Sequence, residues 1–272
     1  MERLRALYAK SQGEIQQRLA ALVRTGRGET FSAHHLRLVL AQVQQGVADF
    51  EIQLGDHLKK TGRAAAQLGT RQVIDSAERL HAGFGNLTPL VRPDQAGVFQ
   101  GLHREVAPSL LDRFETSRKL YGAQVISKVK DELSLGLLQK DGVDSVVDRV
   151  VGADGVFAGQ RWRAERIVRT ELSWAVGVAK QKGMETLKQK FVPGLMKRLV
   201  ATFDDRTGED SKELHGQTVP IDQPFVWHVR NKHGAVLRTV LYMQPPNRPQ
   251  DREIVIVWDP SWPDPGRALG GP

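Results

Sequence analysis

The segment Pro193–Gly216, PGLMKRLVATFDDRTGEDSKELHG, lies where the character of the sequence changes. The residues before it form long segments rich in Ala, Leu, Gln, Arg and Glu, which favour helices. After it come short runs rich in β-branched and aromatic residues, separated by Gly, Pro, Asp and Asn. We therefore predict an α+β fold, in which a large helical N-terminal region with long helices precedes a small antiparallel β subdomain.

Glycine, proline and capping residues divide the helical part into segments. The pattern predicts a helix over Glu2–Val23, a second helix that follows an N-cap at Ser32 and reaches about Lys60, and a third from about Arg63 to Leu80. We expect the first two helices to form an antiparallel pair. The glycines and prolines after Leu80 predict a change of direction.

Three further helices are predicted before Pro193, over Val106–Leu138, Val143–Val151 and about Gln160–Gln189. The first of them has apolar residues at helical spacing, which predicts a buried stripe: Leu110, Phe114, Tyr121, Val125, Val129 and Leu133. The last has a similar face: Val168, Leu172, Ala175 and Ala179.

The C-terminal third predicts four short strands. Their bounds are Leu199–Phe203, Phe225–Val229, Val236–Tyr242 and Glu253–Trp258. The expected organisation is a helical region over 1–152, a region over 153–262 that combines a basic helix with the β subdomain, and a flexible C-terminal tail over 263–272.

Composition excludes several classes of site. The 272 residues include no cysteine, so disulfides, thiolate zinc sites and cysteine nucleophiles are excluded. An apolar content of 40% is that of a folded chain rather than a disordered one. Because the sequence shows neither a secretory signal nor a run of about 18 apolar residues, we expect a protein made and used in the cytoplasm, or in a particle assembled there, without a membrane partner.

The net charge of +8 is concentrated in one segment, since residues 151–200 carry 10 lysines and arginines against 4 acidic residues. A basic helix can contact the phosphates of DNA, and it can equally be a solvated surface. The candidate DNA contacts are Arg161, Arg163, Arg166, Lys180, Lys182, Lys188, Lys190, Lys197 and Arg198.

A set of short motifs follows in a fixed order along the chain. It begins with Arg169, Thr170 and Glu171 on a helix, continues with Asp204, Arg206 and Thr207 after a strand, then Gly216, and ends with Pro245, Pro246 and Arg252 before the last strand. This order resembles the phage head morphogenesis family, the phage Mu F-like minor head proteins. The resemblance covers roughly residues 120–260.

The chain departs from the family at its usual cysteine and histidine positions. Gly208 and Ser211 stand at two of them in the first box, and Arg248, Asp251 and Glu253 replace a histidine and two cysteines in the second. Because structural zinc needs Cys or His ligands at fixed spacing, we expect neither a metal nor another cofactor. A polar network is the expected substitute, with Arg206 or Arg252 as donors and the acceptors Asp204, Asp205, Asp251 or Glu253.

The resemblance implies a non-enzymatic minor capsid protein of a tailed-phage head or phage-derived particle. It implies a virion location in the capsid interior near the portal, association with the portal protein and with the major capsid protein or scaffold, possible contact with packaged double-stranded DNA, and a part in head assembly, DNA packaging or genome delivery.

Two other functions stay open at this point. The cluster Asp204, Asp205, Glu209, Asp210 and His215 could serve a metal-dependent hydrolase or nuclease, or a toxin effector, although Asp, Ser and Thr in this arrangement are also typical of turns. The third possibility is a non-specific DNA-binding protein that acts outside a particle.

Overall fold

The structure is a computed structural model that describes residues 2–26, 28–83, 96–99, 101–205, 207–246 and 253–260. Its helices are α1 Glu2–Thr25, α2 Ala33–Gly83, a short 3₁₀ helix Ala96–Phe99, α3 Leu102–Gln139, α4 Val143–Val151, α5 Gln160–Lys190 and α6 Glu209–Leu214. Its strands are β1 Met196–Val200, β2 Thr218–Pro220, β3 Phe225–Arg230, β4 Val236–Tyr242 and β5 Ile254–Trp258. The predicted α+β class is confirmed.

Helix α2 corrects the prediction of two separate helices near residue 60. It is one continuous helix of 51 residues. Gly62, which lies between the two predicted helices, is buried, and the three alanines after Arg63 are the strongest helix formers. Packing and propensity together therefore outweigh the cost of a glycine inside a helix.

Contacts divide the chain into two compact units. The first unit comprises Met1–Lys60 and Leu111–Arg169, and the second comprises Thr61–Leu110 and Thr170–Pro272. This division differs from the predicted boundaries at 152 and 262, because α2, α3 and α5 each contribute residues to both units. The predicted tail over 263–272 lies outside the described residues.

The core of the first unit is formed by apolar and aromatic side chains of its helices. Phe50 contacts both Tyr8 and Tyr121, with ring centroids 5.6 Å apart in each case. Tyr8 contacts Phe50, whereas Ile15, farther along α1, packs against Gly46, which is earlier on α2, so α1 and the first part of α2 run antiparallel, as predicted. All six residues of the predicted α3 stripe are buried. The N-cap at Ser32 is also confirmed, because its Oγ accepts the backbone N–H of His35 at 3.4 Å.

The second unit contains the strands. Strand β1 lies between β2 and β5 in a three-stranded antiparallel sheet, and β3 and β4 form a separate antiparallel hairpin. The buried core joins all these elements to the helices of the unit, from Val73 on α2 and Leu187 on α5 to Phe225 and Val257 in the strands. Strand β2 and helix α6 were not predicted, since β2 has only three residues and the α6 sequence also matches a turn.

Candidate functional site

The first box, residues 201–216, is a closed turn followed by α6. The hydroxyl of Thr207 donates to the carbonyl of Thr202 at 2.7 Å and accepts the backbone N–H of Asp204 at 2.8 Å. The backbone N–H of Thr207 donates to the carbonyl of Asp204 at 3.0 Å. These bonds show that residues 202–207 form a turn, in which a short polar side chain satisfies backbone groups.

His215 and Gly216 close the other end of the box. The Nδ1 atom of His215 accepts the backbone N–H of Ala201 at 3.1 Å, and its ring packs edge-on against Phe203 at 4.7 Å between centroids. Gly216 has a φ of +77°, a conformation that favours glycine, and its N–H donates to Leu199 at 2.8 Å. The histidine ring therefore stabilises the end of β1.

Two acidic residues of the box have different partners. Glu209 pairs with Lys212 at 2.7 Å, and Glu213 accepts the backbone N–H of His228 at 3.2 Å. Across the described ranges, no three His, Asp or Glu side chains come close enough together to hold a metal ion. The described structure therefore does not gather the five residues suggested for a hydrolase or nuclease into a metal site.

The expected polar network can be followed only in part. Arg206, Asp251 and Arg252 lie outside the described residues. Glu253 is buried, and its Oε2 accepts the hydroxyl of Tyr242 at 3.0 Å. Glu253 therefore provides an acceptor for a tyrosine of β4.

The second box docks on the middle of α5. The Pro245–Pro246 peptide bond is cis, and a side chain at Gly177 would collide with the carbonyl oxygen of Pro245. In the amide orientation that satisfies both of its ends, Gln244 donates to the Gly177 carbonyl at 2.7 Å and accepts the Val178 N–H at 2.8 Å. Gly177 is the residue that permits this close approach of two backbones, and it was not among the predicted site residues.

The two charged residues of the α5 motif, Arg169 and Glu171, lie in different environments. Arg169 is 58% exposed and pairs with Glu165, one turn earlier, at 3.5 Å. Glu171 is buried, which confirms that the two residues face different sides of the helix, while Thr170 is half-buried. The described partner of Arg169 therefore lies on the same helix.

Lys197 is the clearest correction among the predicted DNA contacts. Its side chain is fully buried, so it cannot reach a phosphate group. Its Nζ donates to the carbonyl of Met243 at 2.8 Å and to Oε1 of Gln181 at 3.3 Å, and it lies 5.1 Å from the centre of the Phe225 ring. Burial lowers the pKa of Lys197 to about 8, although Glu185 and Asp222 partly oppose that shift.

The sequence contained a signal for this burial. Strand residues two apart point to the same side of a sheet, and Leu195 and Leu199 flank Lys197 at that spacing. Both leucines are buried in the same core. The alternation thus placed the lysine on the inner face, although its charge suggested a surface position.

Several other predicted basic residues have partners in their own unit. Lys182 pairs with Glu105 at 3.5 Å, Lys188 pairs with Asp222 at 3.1 Å, and the guanidinium of Arg198 lies over Trp258. Lys180 is half-buried in a cleft beside Pro245, and Lys190 is exposed.

The arginines at the start of α5 form a more open surface in the first unit. Arg161 is 61% exposed, Arg163 is half-buried, and Arg166 lies 4.7 Å from the ring centre of Trp162, which is itself 55% exposed. The carboxylate of Glu165 is near three arginines, and its strongest partner is Arg5, whose Nε donates at 2.9 Å. Arg5, and then the other arginines, lower the pKa of Glu165.

The chain has no match among family models, curated proteins or solved structures. Among the described helices, none combines the length and the apolar character needed to cross a lipid bilayer.

Proposed function

We propose that this protein is a minor structural component of a tailed-phage head or a phage-derived particle. In this proposal it associates with the portal protein and with the major capsid protein or scaffold, lies in the capsid interior near the portal, and acts in head assembly, DNA packaging or genome delivery. Host cytoplasm is its location during assembly.

The observation that supports this proposal is the order of the motifs together with their packing in one unit. The helix that carries Thr170 and Glu171 also carries Gly177, against which Pro245 packs, and β1 leads into the Asp204–Thr207 turn. The same two boxes that resemble the phage family are thus parts of one small structure.

A non-enzymatic function is favoured by the bonding of the box. Two of the candidate acid, base or metal residues have other partners: His215 accepts a backbone N–H, and Glu209 pairs with Lys212. Across the part of the chain that the structure describes, no three His, Asp or Glu side chains are grouped so that they could hold a metal ion.

Purification of the assembled particles tests the proposal. The chain, carrying a small epitope tag, is produced with the other proteins encoded beside it, and the particles are banded on a caesium chloride gradient. We expect the chain at low copy number in the particle band, with cross-links to the portal protein detected by mass spectrometry. A chain found only with free proteins at the top of the gradient would contradict the proposal.

DNA contact is a second candidate that a specific observation favours. The exposed Arg161 and the Arg166–Trp162 pair form a basic, partly aromatic surface at the start of α5. Such a surface can neutralise phosphates without reading the base sequence. This candidate is compatible with a head protein and also with a DNA-binding protein outside a particle.

A further inference from the structure

Strand β4 is an edge strand whose surface is largely exposed. It pairs with β3 on one side, and no other described strand pairs with it. Its residues from Val236 to Thr239 are exposed without interruption, so both faces of the strand reach solvent at that end. Leu237 is 66% exposed and Leu241 is 59% exposed. An exposed apolar edge of this kind is a template for pairing with another strand.

The outer edge of β3, by contrast, is covered by side chains of neighbouring segments. The side-chain amide of Gln217 accepts the backbone N–H of Val226 at 2.7 Å and donates to its carbonyl at 3.0 Å. The carboxylate of Glu213 on α6 accepts the backbone N–H of His228 at 3.2 Å. The backbone groups of Val226 and His228 therefore point away from β4 and already have partners.

These bonds also determine which backbone groups β4 presents to solvent. In an antiparallel pair, two residues directly opposite each other either bond to each other or both point their backbone groups away. Leu241 lies opposite Val226, and Thr239 lies opposite His228. The hydroxyl of Thr239 is 3.2 Å from Nδ1 of His228, in keeping with the closer side chains of a pair without backbone bonds. The N–H and C=O groups of Thr239 and Leu241 thus lie on the outer edge, where no described residue bonds to them.

We propose that β4 pairs with β4 of a second copy of this chain, antiparallel and about a two-fold axis at Val240. In this register, Thr239 of each copy lies opposite Leu241 of the other copy. The outward N–H and C=O groups of both residues are then all paired across the interface. Two-fold interfaces of this kind are the commonest in homo-oligomers.

The side chains and the backbone both favour this register. Arg238, the one charged residue of β4, lies opposite Tyr242 of the other copy, so the two arginines are kept apart. An axis one residue earlier would place the two arginines diagonally, about 7 to 8 Å from each other. It would also require pairing through Leu237, where the register of β4 against β3 shifts, whereas the stretch from Arg238 to Tyr242 is regular.

The charge around the hairpin is compatible with a second copy as its partner. The whole chain has a net charge of +8, but residues 201–272, which contain the hairpin, carry 8 lysines and arginines against 10 acidic residues. Two copies can therefore approach here without strong repulsion. One strand pair buries less than the roughly 1,200 Å² of a stable complex, so the expected dissociation constant is about 10 to 100 µM. The proposal is independent of the phage assignment.

The absence of cysteine from the chain allows a direct test of the register. Val240→Cys places two thiols at the axis, where Cα atoms about 4.5 Å apart suit a disulfide. The full chain should form a covalent dimer under mild oxidation. The control Leu237→Cys is more exposed, but its two copies would lie about 20 Å apart, so it should cross-link at least about tenfold more slowly. Equal rates, or no covalent dimer of Val240→Cys, would overturn the proposal.

A second measurement uses the unmodified chain. Sedimentation equilibrium between about 5 and 500 µM should show a monomer that converts to a dimer. Leu241→Lys should weaken the dimer about tenfold or more, because a lysine on an edge opposes pairing. The control Leu138→Lys makes the same change at a leucine of α3 that is 81% exposed, and should leave the dissociation constant unchanged. Equal weakening by both variants would overturn the proposal, as would a chain that stays monomeric, which would leave the edge for a strand of a different protein.

Discussion

Gly177 shows how a single residue without a side chain fixes the position of the second box. The carbonyl of Pro245 and the amide of Gln244 lie directly against the surface of α5 at this glycine. An added methyl group would have to push the Pro245 backbone away. The close contact explains why a glycine stands in a helix, where it is ordinarily unfavourable.

We predict that Gly177→Ala destabilises the protein. Overpacking against a backbone atom should lower the free energy of unfolding by about 2 kcal/mol, more than the gain in helix propensity offsets. Chemical denaturation measures this value. The matched control is Gly13→Ala in α1, where a methyl group meets nothing within 4 Å and should stabilise by a few tenths to about 1 kcal/mol. Equal effects of the two substitutions would show that Pro245 does not pack on Gly177.

Lys197 makes the stability of the protein depend on pH in the alkaline range. Its pKa is 10.5 in the absence of perturbation and about 8 in the fold. Between these values the unfolded chain binds a proton that the folded chain has lost, so stability rises with pH. From pH 7.5 to 9.5 the expected rise from this residue is about 2 kcal/mol.

The variant Lys197→Gln tests this prediction, because it keeps a hydrogen-bond donor and removes the titrating group. The difference in unfolding free energy between the unmodified chain and the variant should increase with pH over that range. The exposed Lys190→Met serves as the control and should run parallel to the unmodified chain. If this difference does not change with pH, the fold does not lower the pKa of Lys197 and the prediction is contradicted.

At the scale of elements, α2 is one helix where the sequence predicted two. Arg63 lies in the interior of this helix and is exposed, whereas it would be the first residue of the predicted third helix. Proline is tolerated in the first turn of a helix and disrupts its interior.

Arg63→Pro should therefore lower the free energy of unfolding by about 3 kcal/mol and reduce the helical circular dichroism signal. Arg63→Ala, the control, should be close to neutral, since the position is exposed. If the proline variant is as stable as the alanine variant, the helix begins near this residue and α2 is not continuous.

The sequence predicts helices well where apolar residues repeat every three or four positions. The bounds of α4 agree with the prediction, and those of α3 and α5 differ by a few residues. Prediction fails where the local signal has two interpretations: a break between helices was predicted between Lys60 and Arg63, and the acidic residues of α6 also matched a turn. The candidate site shows the same limit, because the docking of Pro245 on Gly177 depends on residues far apart in sequence.

At the scale of the whole molecule, the basic residues of α5 differ in how exposed they are along the helix. The lysines of the second half of α5 are largely paired or buried, whereas the arginines at its start are more exposed. DNA affinity, if it resides in the basic helix, should depend on that first group.

We expect the triple variant Arg161→Ala, Arg163→Ala, Arg166→Ala to weaken binding to duplex DNA of random sequence. The slope of affinity against salt concentration should decrease by about 2 to 3, roughly one for each lost phosphate contact. Fluorescence anisotropy over a series of salt concentrations measures both values. The control Lys182→Ala, Lys188→Ala removes paired lysines and should change the slope by less than one. A larger change in the control would contradict this assignment.

The division of the chain into two units also has a consequence for biosynthesis. Each unit is assembled from two separate stretches, and the core of the second includes Val73 near its start and Val257 in β5. Strand β5 pairs along the whole of β1, so this sheet cannot be completed until residues 254–258 have left the ribosome. The first unit can close as soon as its last residue, Arg169, emerges, and the nascent chain therefore completes its helical unit before its sheet.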